Sequence, residues 1–95
     1  MKLKISPAVL QKLEERHNVA VSEIIECFAN RTGNYLLDNR EEHRSAPPTQ
    51  WFVSETDYAV KLKIMFIQHS DGTVEIKSAY TPSQTVLDIY NRKAY

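Results

Sequence analysis

A single cysteine, Cys27, excludes an intrachain disulfide and a zinc site of the cysteine-rich kind. A free cysteine of this sort packs as a small apolar side chain, and a reduced, cytosolic setting is the expectation. Glycine is nearly as scarce. Gly33 and Gly72 are the only two in the chain, so no glycine-rich loop is available to cradle a phosphate. Charge of one sign is missing as well, because twelve basic residues offset twelve acidic ones. A dedicated nucleic-acid binder usually carries a basic excess, so any such role has to rest on a local patch. No long apolar run occurs and the opening Met1–Pro7 has no apolar leader core, so no membrane segment is expected. His17, His43 and His69 fall at unrelated spacings, and neither metal nor cofactor is expected.

What is present is ordinary globular material, with 42% hydrophobic and 25% charged residues in 95. That length fits one α+β domain over residues 1–95. Ser6-Pro7 predicts an N-cap with proline at the first helical position, and Val9, Leu10 and Leu13 give the buried stripe. Asn18 reads as a left-handed stop. Ser22 is expected to cap a second helix with Val21, Ile24, Ile25 and Phe28 on its apolar side. Tyr35–Asp38 and Trp51–Val53 read as short strands around a polar loop containing Pro47-Pro48.

The strongest signal is a long β-hairpin from Val60 to Tyr80. Val60, Leu62, Ile64 and Phe66 alternate with Lys61, Lys63 and Met65, and Asp71-Gly72 marks the turn. A three-residue loop Ser70-Asp71-Gly72 sets Val74 and Ile76 on the face of Ile64 and Phe66, and burial of that face favours this register. It groups Lys61, Lys63 and Lys77 on the opposite face. Thr81-Pro82-Ser83-Gln84 then opens a short helix carrying Val86, Leu87, Ile89 and Tyr90. The expected architecture is two N-terminal helices, a four-stranded antiparallel meander and a C-terminal helix, with the helices on one face.

Two clusters carry candidate chemistry. The polar run Asp38–Arg44 offers Arg40, His43 and Arg44 to an anionic partner, against the blander reading of a solvated loop. The three hairpin lysines could meet phosphates or simply form the wet side of a sheet. His17, at the end of the first helix, is a candidate base or a helix terminator. Trp51, Phe52, Tyr80 and Tyr90 are available to stack on bases, with core packing as the more economical reading.

The succession Lys12-Leu13-Glu14-Glu15-Arg16-His17-Asn18-Val19, then Ser22-Glu23, Glu26 and Phe28, then Asp38-Asn39-Arg40, resembles the BrnT-type toxins of bacterial toxin–antitoxin systems. The strand Leu62–Ile67, Ile76-Lys77-Ser78-Ala79 and a closing helix with Tyr90 extend the likeness over nearly the whole chain. The chain resembles a divergent member, with Tyr80 standing where the family has arginine. The resemblance implies a RelE-like fold, a toxin-like domain that binds or cuts RNA or has lost that catalysis, and an antitoxin-like protein partner. By position it makes His17, Asp38, Arg40 and Tyr80 the candidate catalytic residues, with Arg44, Lys61, Lys63 and Lys77 as candidate RNA contacts. The alternative is a non-catalytic protein-interaction module.

Overall fold

The computed structural model describes residues 1–40 and 45–95. Among the described residues no helix is long and apolar enough to cross a membrane. The first strand, β1 (Lys2–Lys4), leads into helix α1 (Pro7–Lys12). Ser6 caps α1 as expected, its Oγ accepting the Val9 amide at 3.2 Å. The helix then widens into a π-helical segment, Leu13–His17. Asn18 closes it in the left-handed region (φ 51, ψ 46), and both its amide and that of Val19 reach the Leu13 carbonyl. Asparagine tolerates this conformation better than most side chains.

Helix α2 (Val21–Asn30) starts earlier than the sequence suggests. Ser22 lies inside its first turn, and the exposed end is closed instead by Glu23, whose Oε1 accepts the Ala20 amide at 2.9 Å. Helix α3 (Gln84–Lys93) departs in the other direction, beginning two residues after the expected point, with Ser83 rather than Thr81 as the cap.

Among the described residues the sheet has five strands in the order β1-β5-β4-β3-β2, where β2 is Leu36–Leu37, β3 Thr49–Glu55, β4 Lys61–Gln68 and β5 Thr73–Tyr80. The four-stranded antiparallel expectation is therefore corrected to a five-stranded mixed sheet. Strand β1 runs parallel to β5 and pairs Leu3 with Val74. Three residues are too few to announce a strand by periodicity, which explains the omission. The hairpin turn is the three-residue loop Ser70-Asp71-Gly72. The His69 amide donates to the Thr73 carbonyl at 2.8 Å, and Gly72 takes φ 89. Ile76 consequently pairs with Phe66.

A β-bulge interrupts the pairing beyond that point. The register jumps between Met65 and Phe66, so Met65 faces Ser78, Ile64 faces Ala79 and Lys63 faces Tyr80. Lys77 is the extra residue. The bulge keeps apolar side chains on the core face at both ends of β5, because Ile76 and Ala79 are three apart rather than two and both are fully buried.

Adjacent residues of β3 show where the helices lie. Phe28 of α2 packs on Phe52 and Phe66, with Tyr35 completing an edge-to-face aromatic cluster. Leu13, Ile24 and Cys27 bury beside it. Tyr90 of α3 packs on Trp51, which points to the other side of the strand. The helices thus cover both faces, not one. The Tyr90 hydroxyl is drawn to the β2–β3 edge, where it donates to the Asn34 carbonyl at 2.9 Å.

Candidate functional site

The face of the sheet that carries Trp51, Lys63 and Met65 gathers most of the candidate residues. Strand alternation and the β5 bulge place Tyr80 directly across from Lys63 and Ser78 across from Met65. Lys63 is only 8% exposed. Its ammonium lies 4.6 Å from the centre of the Trp51 ring and 5.7 Å from that of Tyr80. Two ring faces stabilise a desolvated cation by about 1–2 kcal/mol each at best. Among the described residues Lys63 makes no ion pair.

Arg40 reaches the same place from the loop after β2. The Asp38 amide donates to the Thr49 carbonyl at 2.9 Å, which extends the β2–β3 contact by one residue and fixes Asp38. The Asp38 carboxylate then holds Arg40 at both Nε (3.1 Å) and Nη2 (3.0 Å), and also accepts the Arg40 backbone amide at 3.1 Å. Such a fork restrains the guanidinium in one orientation. The carboxylate side is 5% exposed and the guanidinium side 48%, so the pair presents its cation outward.

Met65 is where the parts meet. Its sulfur lies 3.9 Å from Arg40 Nη2 and 4.0 Å from the Tyr80 hydroxyl. His17 joins through Tyr80, with ring centres 5.5 Å apart and planes tilted by 35°. The π-helical turn brings it there, because widening the last turn of the first helix alters which residue lies over the end of β5. His17, Asp38, Arg40 and Tyr80 therefore come together with Lys63, while Met65 and Trp51 supply the surface between them.

The remaining candidates lie elsewhere. Lys77 sits in the bulge with its ammonium 3.5 Å from Glu75, whose other oxygen is 2.8 Å from His69 Nε2. His69 first, and Lys77 with Lys4 beside it, hold the Glu75 carboxyl below its ordinary value. Lys61 pairs across the strand with Glu55 at the far end of the sheet. Lys61 and Lys63 flank the buried Leu62 and Lys77 follows the buried Ile76, so all three sit opposite the core residues of their strands, with Lys77 drawn to Glu75. His43 and Arg44 lie outside the described residues.

Chemically, the site offers a restrained guanidinium, a phenol and an imidazole around a buried ammonium. That set can hold an anion or a phosphodiester and can donate protons to it. Among the described residues no group of His, Cys, Asp and Glu is arranged to hold a metal ion. Sequence reasoning missed Met65, although it shares the parity of Lys63 on β4. Comparison with protein-family models, with curated proteins and with solved structures yields no match.

Proposed function

We propose that this chain is a toxin-like domain of the RelE/BrnT type that engages single-stranded RNA at the Arg40–Tyr80–His17 surface. The observation that carries this reading is the approach of Arg40 and Tyr80 to one sulfur, Met65, with His17 against the Tyr80 ring. Arg40 meets a phosphate, Tyr80 and His17 stack on or bond to the adjoining nucleotide, and Lys63 contributes positive potential from behind. Cleavage would need a proton acceptor for the 2′-hydroxyl, and His17 is the group available for that role. The test is regulated expression in a bacterium with total RNA examined after induction. Growth arrest with RNA cleavage, relieved by Arg40→Ala and by His17→Ala, is expected; harmless expression with intact RNA would overturn the nuclease assignment.

A second reading, a protein-interaction module without catalysis, has its own support. Asp38 already satisfies two nitrogens of Arg40, and Lys63 is mostly covered. On that reading the purified chain binds no RNA, and Arg40→Ala changes neither RNA affinity nor growth.

A further inference from the structure

At the opposite end of β3 from Arg40 lies a cavity of about 390 Å³, walled by β3, Lys61 of β4, and Leu87 and Asn91 of α3. Its cause is the brevity of β2. That strand pairs only with Gln50 and Trp51, so β3 continues past it with an uncovered edge.

The direction of the backbone groups on that edge follows from two bonds. The Thr56 amide donates inward to the Val60 carbonyl, and the Thr49 carbonyl accepts outward from Asp38. Alternation then turns the polar groups of Val53 and Glu55 outward, toward the cavity. Among the described residues the Glu55 carbonyl accepts from Asn30 Nδ2 at 3.0 Å, and the Val53 amide faces the Tyr90 hydroxyl. The Val53 carbonyl and the Glu55 amide remain without a side-chain or loop hydrogen bond among the described residues, on either side of Ser54.

A carbonyl at one residue and an amide two residues later are what a parallel strand uses to hold a single residue of its partner. The partner residue donates its own amide to the first and accepts from the second. Lys61 stands directly across from Glu55 on β4, lines the same cavity and makes no ion pair among the described residues. Lys61 brings a cation to the cavity wall, which favours a carboxylate at the accepting end over an ordinary carbonyl. Ser54 also lines the cavity, and its buried Oγ has no hydrogen-bond partner among the described residues. The volume is near the lower end of the range of about 300–1,000 Å³ for ligand sites, which suits one or two residues.

We infer that this cavity captures the C-terminal residue of a peptide, laid parallel to β3 and level with Ser54. Its amide donates to the Val53 carbonyl, and its α-carboxylate accepts from the Glu55 amide and Lys61. The side chain falls on the Ser54 side of the strand, because residues level with one another on paired strands share a face. This is strand addition limited to one residue and made specific by a terminal charge.

The probe is N-acetyl-Ala-Leu with a free carboxylate, titrated into the folded protein while backbone amide resonances are followed. Saturable shifts at Ser54, Glu55 and Lys61 are expected. The C-terminal amide of the same peptide should bind about tenfold more weakly or worse, having lost the charged acceptor. Methylation of the leucine nitrogen should abolish binding, since it removes the donor to Val53. Lys61→Met should keep a folded spectrum and erase the preference for acid over amide. Equal binding of acid and amide by the unaltered protein would overturn the proposal, as would the absence of saturable shifts. Free leucine binding as tightly as the peptide would also overturn it, by making this a site for a small zwitterion.

Discussion

Tyr90 ties three parts of the molecule together, and Gly33 exists in its present form because of it. A Cβ built on Gly33 would lie 2.6 Å from the Tyr90 hydroxyl and 3.0 Å from two of its ring carbons. Burial, with Tyr95 nearby as the second cause, pushes the Tyr90 phenol up to about 12, so it stays a neutral donor to Asn34 across the ordinary pH range. Gly33→Ala is expected to cost about 1–3 kcal/mol by forcing the ring out of place. In a Tyr90→Phe background, where the nearest clashing atom is gone, the same change should cost less. Urea unfolding of the two single variants and the double variant measures that coupling, and strictly additive losses would contradict the contact. Cys27 offers a simpler check. Burial first, then the neighbouring Glu26, pushes its thiol up to about 12. It carries almost no thiolate at neutral pH, so a thiol reagent should label it only on unfolding, and fast labelling of the native protein would contradict its burial.

Among the elements, the β4–β5 hairpin was the most legible in the sequence and also the most revised in its consequences. Its turn register follows from asking which face is buried, and Ile76 does pair with Phe66. The bulge at Lys77 was not legible, since a strand with one extra residue still reads as alternating on either side. The bulge is what brings Tyr80 level with Lys63, so the site depends on the one feature that periodicity hides. Strand β1 left a weak trace, the alternation Lys2-Leu3-Lys4-Ile5, too short to outweigh the helix signal that follows. The hairpin also makes a pH prediction. The folded Glu75 carboxyl is held low chiefly by His69, so its pairing contributes stability above the unfolded carboxylate value and loses it as pH falls through the folded one. Glu75→Gln should therefore destabilise the protein at pH 7 by about 0.5–1 kcal/mol. The gap between variant and parent should close on acidification below the ordinary carboxylate range. A gap that persists unchanged into strong acid would show that packing, not charge, sets the difference.

For the molecule as a whole, the balance of twelve basic and twelve acidic residues decides what kind of RNA binding is open to it. Among the described residues the candidate site contains two cations, Arg40 and Lys63, and one of them is already matched by Asp38. Each phosphate neutralised on a single strand releases counterions and contributes about −0.7 to the slope of log affinity against log salt. One or two contacts then give a total slope between about −0.7 and −1.4. Affinity must come mainly from stacking on Tyr80, His17 and the exposed part of Trp51, which is sequence-tolerant and nearly insensitive to salt. Fluorescence anisotropy of a labelled RNA oligonucleotide over a range of salt concentrations measures this directly. Arg40→Ala should flatten the slope by about 0.7. Tyr80→Ala should lower affinity at every salt concentration and leave the slope unchanged. A much steeper slope, untouched by Arg40→Ala, would move the RNA from this face to the lysines scattered over β1, β4 and β5. The Arg40–Tyr80–His17 surface would then be a packing arrangement, with Lys63 held between two rings for stability alone.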